Sequence, residues 1–151
     1  MKGFATVAVA PIVVALSLSA CGGSTHNTTT ILSMPSVANP GEAEQRGKSE
    51  DASAKELART AETAAETYST DHNGSYAGLN ATELNAIEPT ILTTASATNA
   101  YLSGVTEVTV EVYKVTATST SGDTFSVKRL ASGNTARECT GTKGGCVGGT
   151  W

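Results

Sequence analysis

"SEDASAKELARTAETAAETYSTDHNG", Ser49 to Gly74, decides the fold. Its apolar positions are Ala54, Leu57, Ala58, Ala61, Ala64, Ala65 and Tyr68. Steps of three and one bring these onto one stripe of a 3.6-residue period, and Glu56, Arg59, Glu62, Thr63 and Glu66 take the opposite face. Ser49, Asp51 and Ser53 each suit a helix start, and Ser53 has Glu56 three residues on, as a capping box requires. Asn73-Gly74 suits a left-handed stop. The pattern predicts a helix over about residues 50–71. Its stripe is mostly alanine, so it approaches a sheet closely but buries little area per turn, and Leu57 and Tyr68 must anchor it.

Downstream, "NATELNAIEP" predicts a short second helix, with Asn80 as cap, Glu83 three residues later and Pro89 just past the end. Leu84 and Ile87 face inward. From Val105 the period changes to two. Val108, Val110 and Val112 share one face, and Tyr113, Val115 and Ala117 then continue on the other. The phase flips between Val112 and Tyr113, so either a bulge sits there or two strands meet.

"SGD" closes a hairpin into "TFSVKRL". Pairing Ala117 with Phe125 and Val115 with Val127 keeps the apolar residues on one face. It leaves Thr120-Ser121-Gly122 as a three-residue loop, with Gly122 where a left-handed residue is wanted. A turn near Ser132-Gly133-Asn134 leads to a last strand around Thr135–Cys139. The expectation is an α+β domain over residues 49–151: a long N-terminal helix and a short helix packed on a three- or four-stranded antiparallel sheet.

Upstream, residues 21–48 read as a flexible tether. Ser, Thr, Asn, Gly and Pro dominate there without a sustained period. Residues 1–20 hold Lys2 and then an apolar run from Phe4 to Ala20, short for a spanning helix, which needs about 20 residues. A positive start, an apolar middle and a small-residue end describe an export signal. "LSAC", Leu18 to Cys21, resembles the lipobox of bacterial lipoproteins. That resemblance implies cleavage before Cys21 and a diacylglyceryl group on its thiol. It places the protein on the extracytoplasmic face of a cell membrane, held by lipid. "KGF", Lys2 to Phe4, also resembles a prepilin processing site. On that reading the apolar segment enters a filament, although Ala8 stands where such signals carry Glu.

Cys139 and Cys146 bracket "TGTKGG". With Cys21 taken by lipid, the remaining pair lies in an oxidising place and can close an eight-residue ring. Loop closure of that size is worth about 2.5 kcal/mol. The alternatives are a redox pair or a metal site, but the spacing is not C-x-x-C and two thiols alone make a poor zinc site. Trp151 is expected to fold back onto the ring or the sheet.

Taken together, "AETYSTDHNGSYAGL", "YKVTATSTSGDTFSV" and "RECTGTKGGCVGGTW" resemble the headgroup of type IV pilin-like proteins of Gram-positive bacteria. The resemblance implies a helix packed on an antiparallel sheet, with Cys139 and Cys146 clipping down a surface loop. It also implies a structural or binding role, with a protein or a cell-wall polymer as partner. If Cys21 replaces a pilin stem, the helix surface around Ala54 to Ala65 is left free.

The protein is acidic, with a net charge of −4 and a pI of about 5.1. Its 10 Lys and Arg are scattered rather than clustered, which speaks against nucleic acid. No catalytic motif, cofactor motif or metal-ligand spacing is present. His26 falls in the tether and His72 at a helix end. Glu107 and Glu111 read as a solvated strand face rather than an acid–base pair. "GTKGGCVGG" lacks the order of a phosphate loop. Three glycosylation sequons, at Asn27, Asn73 and Asn80, have no matching machinery behind a bacterial lipobox. The reading is of a non-enzymatic protein.

Overall fold

A computed structural model of the protein describes residues 39–142 and 144–151. The expected export signal, Cys21, His26 and the expected tether up to residue 38 lie outside the described residues. Among the described residues, no helix is long and apolar enough to cross a membrane.

Helix α1 runs Pro40–Asp71, ten residues longer at its start than its apolar stripe predicts. Residues 40–48, read as the end of the tether, form its first turns. The start signal is local: the Asn39 side chain accepts from the Gly41 N–H at 3.2 Å, Pro40 opens the helix, and Glu42 lies in the first turn. Proline is favoured there because its missing N–H has no intrahelical partner to lose. Ser49, Asp51 and Ser53 are therefore interior positions and cap nothing. The C-terminal stop is as expected: Asn73 and Gly74 both have positive φ, and the Gly74 N–H donates to Ser69 O at 2.8 Å.

The alanine stripe is the core. Ala54, Ala58, Ala61 and Ala65 are fully buried, with Ala64 and Tyr68 nearly so. The surface expected to lie free around Ala54–Ala65 is thus covered by this protein's own sheet. Tyr68 anchors the C-terminal half, its hydroxyl donating to Ala77 O at 3.0 Å. Leu57 is only partly buried. Helix α2, Ala81–Ile87, is capped by Asn80, whose side chain accepts from Thr82 N–H and Glu83 N–H. Leu84 fills the core beneath it.

Four strands follow: β1 Tyr101–Thr106, β2 Tyr113–Thr118, β3 Thr124–Arg129 and β4 Thr135–Thr140. They form one antiparallel meander in sequence order. The inferred hairpin register holds: Val115 pairs with Val127 and Ala117 with Phe125. Gly122 adopts φ +93° in the turn, where its N–H donates to Ser119 O. At the phase flip, two strands meet. Residues 107–112 turn rather than extend, with Glu107 at φ +53° and the Thr109 hydroxyl capping the N–H groups of Glu111 and Val112. Val108, Val110 and Val112 therefore leave the sheet, and Val110 is well exposed.

Tyr113, Val115, Ala117, Phe125 and Val127 face α1 and are fully buried. At the β4 edge, residues 147–151 fold alongside, with the Cys139 N–H donating to Gly149 O at 2.8 Å. Trp151 closes that side of the core edge-on to Phe125, with the guanidinium groups of Arg59 and Arg137 both over its ring. Its indole N–H donates to Glu138 O at 2.9 Å. These bonds satisfy Cys139 N–H and Glu138 O on the outer strand, groups that would otherwise be open to edge-to-edge association.

Candidate functional site

The predicted disulfide is formed: Cys139 and Cys146 are bonded, with Cα atoms 5.6 Å apart. The ring they close is not a loose surface loop. Two buried carboxylates clasp it. Asp51, fully buried on α1, accepts the Ser121 hydroxyl at 2.6 Å with one oxygen and the Gly145 N–H at 2.9 Å with the other. Asp123, at the β2–β3 turn, accepts the Thr142 N–H at 3.2 Å. A buried carboxylate is tolerable only when such donors replace its water. The glycines of "TGTKGG" make the approach possible. A Cβ on Gly145 would lie 2.3 Å from an Asp51 oxygen, and one on Gly141 would lie 1.9 Å from the Asp123 carboxyl carbon.

At the other end of α1, Glu66 gathers three donors, from the α1–α2 loop, β2 and β3. It accepts the Tyr76 hydroxyl at 2.7 Å, the Tyr113 hydroxyl at 3.1 Å and the Arg129 guanidinium at 3.0 Å. Burial first, then the charge of Glu66, raises the Tyr113 phenol well above its ordinary pKa. Tyr76 is raised by burial and by its bond to Glu66. Both hydroxyls are held as donors, the opposite of what a tyrosine base requires. A cavity of about 290 Å³ opens beside this cluster, lined in part by Ser69, Glu111 and Arg129.

A trough of about 620 Å³ lies between the first half of α1 and residues 90–100. Ala52, Ser53, Leu57 and Thr60 form its helix wall, and Leu92 and Ala100 face them. The Glu56 carboxylate and the hydroxyls of Ser49, Ser53 and Thr60 supply its polar lining on the helix side. Its lining mixes apolar side chains with hydroxyls and a carboxylate, as ligand-binding concavities do.

Glu107 and Glu111 occupy the β1–β2 turn, not a strand face. Glu107 pairs with Lys128, and Glu111 faces the Glu66 cavity. His72 caps the end of α1, stacked on Tyr68 at 3.8 Å with its Nδ1 2.8 Å from Tyr68 O. Among the described residues, no group of three or more His, Cys, Asp or Glu is placed to hold a metal ion.

The carboxylate clasp escapes a reading of the sequence, yet one signal for it is present. The buried stripe runs Gly47, Asp51, Ala54, Ala58, Ala61, Ala65 and Tyr68. Asp51 stands in phase with it, three residues before Ala54. An acid on the inward stripe marks a buried polar contact. No family model, curated protein or solved structure matches this protein.

Proposed function

We propose that this is a lipid-anchored extracytoplasmic protein whose pilin-like domain has a structural or binding role rather than an enzymatic one. The observation that carries the reading is the Cys139–Cys146 disulfide built into the folded domain. Disulfides of this kind belong to oxidising compartments. The pairing leaves Cys21 as the odd cysteine, inside a lipobox-like "LSAC". A helix on an antiparallel meander with a clipped C-terminal loop supports the pilin-like comparison. The trough along α1 is the surface offered to a protein or cell-wall polymer partner.

Mass spectrometry of the mature N-terminus tests the reading. A mature protein beginning at diacylated Cys21 is expected. A free Cys21 thiol on the mature protein would refute the anchor. A mature protein beginning at Phe4 would replace it with assembly into a filament through residues 4–20.

A further inference from the structure

We propose that Asn73 is a latent site of spontaneous backbone modification, silenced in the native protein by the C-cap of α1. Of the seven asparagines in the sequence, only Asn73 precedes glycine. That pairing favours intramolecular attack, because no Cβ shields the following amide. The Gly74 nitrogen loses its proton and bonds to Asn73 Cγ, the Cγ–Nδ2 bond breaks, and ammonia leaves. Water then opens the cyclic imide to aspartate or to isoaspartate, with the backbone rerouted through Cγ in the latter. No oxidant, metal or enzyme is needed.

Asn73 is exposed, so water reaches it. The structure withholds the nucleophile instead. The Gly74 N–H donates to Ser69 O at 2.8 Å, so the attacking nitrogen is engaged in the helix stop. Asn73 is held at φ +55°. The segment is pinned on both sides: His72 stacks on Tyr68, and the Tyr76 N–H donates to Val110 O at 3.1 Å. Attack must therefore await opening of the cap, and its rate measures that opening. The product matters locally. A carboxylate at 73 is unfavourable at a helix C-terminus. An isoaspartate lengthens the backbone beside Gly74, which lines the Glu66 cavity.

The experiment incubates the full-length protein at mildly alkaline pH, native and in denaturant, then maps deamidation by mass spectrometry. Asn80, Asn85, Asn99 and Asn134 serve as internal controls. Conversion at Asn73 is expected to dominate in denaturant and to be at least about tenfold slower in the native protein, equivalent to about 1.4 kcal/mol of opening. His72→Ala, which loosens the cap at an exposed position, should speed conversion in the native protein and leave the denatured rate unchanged. Equal rates in native and denatured protein would overturn the proposal. So would an Asn73 inert in denaturant, or a native rate indifferent to His72→Ala in a variant shown to be folded.

Discussion

Asp51→Ala tests whether the buried clasp holds the domain together. The carboxylate accepts two hydrogen bonds, from Ser121 and Gly145. A bond to a charged partner is worth about 1.5–3 kcal/mol. Ser121 and Gly145 are half-buried and regain some water once the acceptor is gone, so the low end applies and the pair contributes about 3 kcal/mol. Alanine is the better helix former by up to about 0.7 kcal/mol, which offsets part of the loss. The net cost is then about 2.3 kcal/mol. For the 113 residues from Asn39 to Trp151, unfolding entropy makes each kcal/mol worth about 4 °C. The expected fall in Tm is about 10 °C, read by calorimetry on disulfide-intact protein. Ser121→Ala should give roughly half of it, since one donor is lost and the carboxylate keeps the other. A Tm for Asp51→Ala within about 3 °C of the parent would refute the reasoning, because the net cost would then be under about 0.8 kcal/mol and the clasp worth at most about 1.5 kcal/mol, half the value derived.

Reducing the Cys139–Cys146 bond should lower Tm by about 10 °C, from the roughly 2.5 kcal/mol of loop closure, and an unchanged melt after confirmed reduction would show the ring to be energetically idle. Gly141→Ala should destabilise by about 2 kcal/mol or more in chemical denaturation, since its Cβ meets the Asp123 side chain and the backbone there sits at φ +151°; wild-type stability would mean the ring shifts freely. The Tyr113 phenol is raised in the folded state by burial and by Glu66. Its contribution is intact below the unfolded value near pH 10 and is lost as pH rises above it, because only the unfolded protein ionises readily there. Stability should therefore fall above about pH 10, and Tyr113→Phe should flatten that fall. An identical alkaline profile in the variant would exclude Tyr113 as its source.

Much of the fold is legible in the sequence because its signals are local. The alanine stripe, the Asn80 cap, the left-handed Asn73-Gly74 stop and the Ala117–Phe125 register all depend on residues within a turn or a hairpin of one another. Two misreadings share one cause. Composition and alternation make the Asn39-Pro40 start look like tether and the Val108–Val112 run look like strand. A proline opens a helix as readily as it interrupts one, and alternating valines fit a tight turn as well as a strand. In each case the deciding bond, Asn39 to Gly41 or Thr109 to Val112, lies within three residues but leaves no periodicity behind.

By itself, the sequence determined the elements, their order, the inner face of the sheet and the cysteine pair able to close a ring. Only the tertiary structure decided what those elements do to one another. Asp51 meets Gly145 across 94 positions of sequence and Ser121 across 70. Glu66 meets Arg129 across 63. Periodicity marks which side of a helix turns inward, not which loop arrives there. That depends on the crossing of α1 over β2 and β3, fixed by the packing of small alanines against Val115, Phe125 and Val127. A buried acid is read as a cap or a solvated charge until the fold brings it two N–H or O–H donors in place of water.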